Sequence, residues 1–276
     1  MVNKMIEENE DIECIEHLEG KKSKLILEDK ECSFLKEKEN PPLFILGFTG
    51  AGLIGTICTN ELIKQLEMKQ LGYVLSEDLP AITVFYDGII KHPFRLYYSD
   101  EYNLLVSICE VPFRGTSYTD LARSLMEWAL EQNLKEIITL QGLADRSKLM
   151  QEGDSKVFAA GEKAIMDKIT KFEVEKPPKG LIVGAESAIL NECLNNRLNG
   201  AVFLTPANPQ IPSPEGSAAI LEKIGEIYDV PIDTEDLIEQ SNEIKKKLYE
   251  LAKKSDKIHQ QAQEGEEGTK PERFYS

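Results

Sequence analysis

An α/β fold built on a mixed central sheet is predicted by three features of the sequence. Short apolar runs recur from residue 41 onward, helix-period apolar stripes alternate with them, and turn signals crowd residues 72–110, where neighbouring strands can be antiparallel. The alternation starts at Pro41-Pro42. There Leu43 to Phe48 is a continuous apolar run suited to a strand covered on both faces. After glycines 50, 52 and 55, the spacing of Leu53, Ile54, Ile57, Cys58, Leu62, Ile63 and Leu66 predicts a helix with these residues on one face.

Further strands are predicted over 72–76, 82–86, 94–98 and 104–110, separated by the turn signals Asp87-Gly88 and Asp100 to Asn103. A helix capped by Ser117 or Thr119 is expected to run to about Gln132 with Leu121, Leu125, Trp128 and Ala129 inward, followed by a strand over 136–141. The second half repeats the pattern: strand 180–184, helix 187–195, strand 201–205, helix 215–228. Asp233 or Thr234 caps a last helix to about Lys254, its stripe formed by Leu237, Ile244, Leu248 and Leu251. Three regions result: an acidic extension over 1–40, outside the main core; an α/β domain over 41–254; and a tail over 255–276.

With 276 residues, 41% of them hydrophobic, the chain can bury a self-sufficient core. Its formal charge of −16 repels phosphate backbones, so no nucleic acid partner is expected. Residues 1–10 lack the pattern of a secretory signal and no apolar stretch reaches membrane-span length, so the expectation is a cytoplasmic protein with no membrane partner. The five cysteines are unpaired by spacing, and Cys58 and Cys109 read as small buried hydrophobes. Only His17, His92 and His259 could offer imidazole, and no metal site is expected.

Two segments invite chemistry. Gly50-Ala51-Gly52-Leu53-Ile54-Gly55 is a G-x-G-x-x-G turn between strand and helix, with Glu77-Asp78 at about the distance where a dinucleotide fold places its ribose acid. A nucleotide-binding α/β enzyme is therefore the alternative reading, although the same glycines also serve a tight turn and close helix packing. His92-Pro93-Phe94-Arg95 could face a phosphate but is explained by a turn entering a strand.

The other segment is the ending Phe274-Tyr275-Ser276. Residues 255–273 before it are filled with Gln, Glu, Gly, Lys and Pro, a composition that does not bury enough surface to fold. The aromatic pair is thus expected to be presented on a tether of 19 residues whose root-mean-square reach is roughly 24 Å.

From Pro42 to Gly55 the chain resembles the archaeal branch of the proteasome assembly chaperone family. The likeness continues through Leu79-Pro80, Pro93 to Tyr97, Leu104 to Glu110 with Pro112, Trp128-Ala129, Ile137 to Gly142, Gly180 to Ala185, and the Pro212, Pro214, Ala218, Ala219 set. That resemblance implies a three-layer α/β/α sandwich like those of phosphorylases and hydrolases, and an ATP-independent homo-oligomeric chaperone that is not an enzyme and needs no cofactor. It also implies a hydrophobic-tyrosine-any ending, matched here by Phe274, Tyr275 and Ser276, that docks on α-subunits of the proteasome core particle.

Overall fold

The computed structural model describes residues 22–28, 35, 38–113, 118–145, 155–244 and 246–247. An eight-stranded sheet runs through the molecule in the order β1-β3-β6-β7-β2-β8-β10-β9. Its strands are β1 (Ser23–Leu27), β2 (Leu43–Phe48), β3 (Lys69–Ser76), β6 (Phe94–Ser99), β7 (Leu104–Cys109), β8 (Glu136–Ala144), β9 (Phe158–Gly161) and β10 (Asn199–Ala207). The central β7, β2, β8 and β10 are parallel, and antiparallel strands flank them on both sides, so the sheet is mixed as expected.

Strand β2 shows why this sheet needs two covers. All six of its residues are buried, with Leu43 and Ile45 packing into one core and Phe44, Leu46 and Phe48 into the other. The first core is closed by α1 (Ile54–Gln65), α3 (Lys163–Ile169) and α5 (Pro214–Tyr228), and the second by α2 (Tyr118–Glu131) and α4 (Ala185–Asn196). This is the three-layer α/β/α sandwich. On α2 the stripe Leu121, Leu125, Trp128 and Ala129 is buried, and the Trp128 ring meets Phe44 edge-on at 6.0 Å.

Four differences from the sequence reading have physical causes. Residues 23–27 do not stand outside the core: β1 pairs antiparallel with β3, and Leu25 and Leu27 enter the second core. The predicted strand over 180–184 is absent, because β10 fills the place beside β8 and leaves this segment no ladder to join. Gln141 Nε2 donates instead to the Val183 carbonyl at 2.9 Å, and Leu181 and Val183 stand 91% and 68% exposed. The outer edge is taken by β9, and α3 follows it; neither was expected. Lastly, β4 (Val84–Tyr86) and β5 (Ile89–Lys91) form a hairpin separate from the main sheet.

That hairpin turns at Asp87-Gly88, both at positive φ (51° and 80°), as a two-residue type I′ connection requires. It leaves Phe85, Ile89 and Ile90 largely exposed. Residues 235–244 are helical with Leu237 buried, whereas Leu248 and Leu251 of the expected stripe lie outside the described residues.

Candidate functional site at the carboxyl ends of the parallel strands

The glycine-rich turn links β2 to α1, and its geometry shows what each glycine does. Gly52 has φ +65°, and a Cβ added there would lie 2.6 Å from the Ala207 Cβ and 3.1 Å from the Ser213 Cβ. Its carbonyl accepts from the Ser213 backbone N–H at 2.8 Å. A Cβ on Gly55 would fall 2.7 Å from the backbone N and O of Phe48, and one on Gly47 would fall 2.2 Å from the Gly55 carbonyl oxygen. The chain itself therefore fills the space that a pyrophosphate takes against the second glycine of a dinucleotide turn.

Glu77 and Asp78 follow β3, and β6 and β7 stand between that strand and β2. Three strand spacings place them about 14 Å from the turn across the sheet, where a dinucleotide fold has the acid on the adjacent strand. The turn thus acts as a packing joint between α1, β2 and the connection leading to α5.

Arg95 belongs to the fold as well. Only 2% exposed, it donates through Nε to the Tyr97 hydroxyl at 2.8 Å, through Nη1 to the His92 carbonyl, and through Nη2 to Glu110 at 2.6 Å. Tyr86 donates to the other Glu110 oxygen, and His92 stacks on Tyr73 at 3.8 Å. With each guanidinium nitrogen engaged, this arginine holds β6 to β7. Cys58, Cys109 and Cys193 are free and buried, and burial pushes each thiol up to about 12, which keeps it protonated and unreactive. Among the described residues no group of three or more His, Cys, Asp or Glu could hold a metal ion.

Beside the glycine turn lies a cleft of about 420 Å³ at the carboxyl ends of β7, β2 and β8. Phe48, Phe113 and Tyr118 line it with rings, Phe113 standing 6.3 Å from Phe48 and 5.5 Å from Tyr118. Glu186, in the first turn of α4, also lines it, and is only 4% exposed. Burial pushes this carboxyl up to about 7, against a bond from its own backbone N–H that pulls the other way. The sequence gives no hint of it, because an acid in a first helical turn is ordinarily a solvated partner of the helix dipole. Phe274, Tyr275 and Ser276 lie outside the described residues.

Comparison with known proteins places the fold. An uncharacterized protein of Methanocaldococcus jannaschii is 29% identical over 217 residues, which span 78% of this chain and 87% of that one. The crystal structure of Pyrococcus furiosus PbaA, an archaeal homolog of proteasome-assembly chaperone, has a TM-score of 0.73 at 22% identity, covering 90% of this chain and 99% of PbaA. Pyrococcus furiosus PbaB, an archaeal proteasome activator, has a TM-score of 0.70 at 21% identity, covering 84% and 99%. At such identities the two structures establish likeness of fold. Residues 44–252 match the PAC2 family across both halves of the sheet, and the chain belongs to that family.

Proposed function

We propose that this protein is a non-enzymatic, proteasome assembly chaperone-like factor that binds the α-ring of the proteasome core particle through Phe274, Tyr275 and Ser276, aiding assembly, gate regulation or both. The observation that carries the proposal is membership of the PAC2 family together with a hydrophobic-tyrosine-any ending. A composition with 41% hydrophobic residues and 9 tyrosines ends this way by chance in about one chain in 75. The fold shared with PbaA and PbaB, whose descriptions concern proteasome assembly and activation, supports the same reading.

In this reading Tyr275 fills an apolar slot between neighbouring α-subunits, Phe274 adds contact area, and the Ser276 carboxylate pairs with a cation of the receptor. One such peptide buries little surface and loses chain freedom on docking, so it binds weakly alone. A homo-oligomer presenting several endings gains avidity on a ring of repeated pockets. The exposed apolar side of the β4–β5 hairpin supports self-association, since apolar surface of this kind is commonly covered by a protein contact.

The test is a pull-down of purified core particle by the full chain and by a variant lacking residues 274–276. The proposal expects capture by the full chain and none by the shortened one, at equal thermal stability. Equal capture by both contradicts it. The glycine turn's close packing weighs against the alternative of a nucleotide-dependent enzyme, for which titration with nicotinamide and adenine nucleotides is the direct check.

A further inference from the structure

The cleft bearing Glu186 has a composition that the chaperone reading does not use. In α/β sheets ligands settle beyond the carboxyl ends of the strands, where helices following neighbouring strands leave for opposite faces. Here α1 leaves β2 toward one face and α2 leaves β7 toward the other, and the cleft opens at that divergence. A volume of about 420 Å³ lies within the range of small-molecule pockets.

Its polar side chains offer acceptor oxygens, beside which the Tyr118 hydroxyl and the second Gln141 Nε2–H are donors. Gln141 has committed Nε2 to the Val183 carbonyl at 2.9 Å, which leaves its Oε1 available. Thr49 donates its hydroxyl to the Cys109 carbonyl at 3.1 Å, leaving oxygen lone pairs. The Glu186 carboxyl has no side-chain partner among the described residues, and its one bond is from its own backbone N–H. Gly184, at φ +96°, leaves room for that carboxyl: a Cβ there would lie 3.1 Å from Oε2.

The surroundings favour positive charge. Phe48, Phe113 and Tyr118 line the cleft with aromatic rings, and a ring face attracts a cation. The positive end of α4, which would otherwise call for an anion, already meets Glu186. A net charge of −16 adds a long-range field of the same sense. Leu181 and Val183 provide an apolar rim at the mouth.

We infer that this cleft binds a small organic cation, an ammonium or guanidinium on an apolar stem, with Glu186 as its counter-ion and the aromatic wall around the stem. Among the described residues, the other titratable groups near Glu186 are Tyr118 of α2 and the Cys109 thiol of β7. Burial holds that thiol neutral near pH 7, so Glu186 governs how binding varies with pH around neutrality.

The test is calorimetric titration of the full chain with 2-phenylethylamine, 2-phenylethanol, 3-phenylpropionate and acetyl-Phe-Lys-amide. Saturable binding of the amine or the peptide is expected, with the alcohol and the acid at least about tenfold weaker; whichever of the two binds more tightly identifies a free amine or a basic side chain as the source. A Glu186→Gln variant should lose at least about tenfold for the cation. Should that variant fold poorly, the wild type still decides. With the carboxyl at about 7, raising the pH from about 6 to about 8 increases its ionised fraction and so the affinity about tenfold. The inference is overturned by equal binding of alcohol and amine, by tight binding of the acid, by an affinity flat across that pH range, or by no saturable cation binding at about 10 mM.

Discussion

Substituting the glycines of the β2–α1 turn one at a time separates a packing joint from a ligand cradle. At Gly52 an alanine must hold φ near +65° with its Cβ 2.6 Å from that of Ala207. The left-handed conformation costs about 1 kcal/mol, and forcing a methyl into filled space adds about 1–3 kcal/mol. Gly52→Ala should therefore lose about 2–4 kcal/mol of folding stability. Gly50 is the internal control. Its φ of −155° is ordinary extended backbone and nothing lies within 4 Å of an added Cβ, so Gly50→Ala should shift stability by less than about 0.5 kcal/mol. Urea unfolding with an unchanged slope reads both values. In the Gly52→Ala background, Ala207→Gly removes the clashing methyl and should recover about 1 kcal/mol relative to additivity. Equal effects at Gly50 and Gly52, or a Gly52→Ala protein as stable as its parent, would refute the packing argument.

Two further outcomes follow from buried charge. Arg95→Met keeps the bulk of the side chain but leaves Glu110 without its cation and should cost about 3 kcal/mol; adding Glu110→Gln should restore about 1 kcal/mol or more, and strict additivity in urea unfolding would show that the pair is not coupled. Glu186 makes stability depend on pH with a definite sign. The folded carboxyl keeps its proton to about 7 while the unfolded one loses it near 4.5, so its contribution is greatest below 4.5 and declines as pH rises to 7. Measured as a difference between wild type and Glu186→Gln, the wild type should fall behind by up to about 3 kcal/mol between pH 4.5 and 8, and a difference independent of pH would contradict the buried placement.

The central sheet was legible because its strands are written in contrast. Leu43 to Phe48 and Leu104 to Cys109 are apolar on both faces, and the stripe on α2 names the residues that pack beneath it. The edges were not legible. β9 is Phe-Ala-Ala-Gly, too short and too plain to show a period, and it is a strand only because β10 offers a ladder. β1 follows a polar stretch, and its membership of the sheet depends on β3, about 50 residues away in the chain. Leu181 to Val183 carries the opposite lesson: an apolar run with no partner strand stays a loop.

The same division holds for the sites. Phe274-Tyr275-Ser276 is proposed from sequence because its chemistry is local and contiguous, and it lies outside the described residues. The cleft was not legible there, because Thr49 of the β2–α1 turn, Gln141 of β8 and Glu186 of α4 are far apart in the sequence, and only the fold brings them to one end of the sheet. The glycine turn stands between the two. Its spacing fits phosphate binding and helix packing equally well, and the positions of Ala207 and Ser213 favour the second.

The most direct test of the proposed role is the affinity of the full chain for purified proteasome core particle, compared with that of Tyr275→Ala and Ser276→Ala proteins in one titration. The account predicts saturable binding that Tyr275→Ala reduces at least about tenfold and Ser276→Ala leaves nearly unchanged, because the ring is read and the last side chain is not. Equal binding by all three proteins would contradict it.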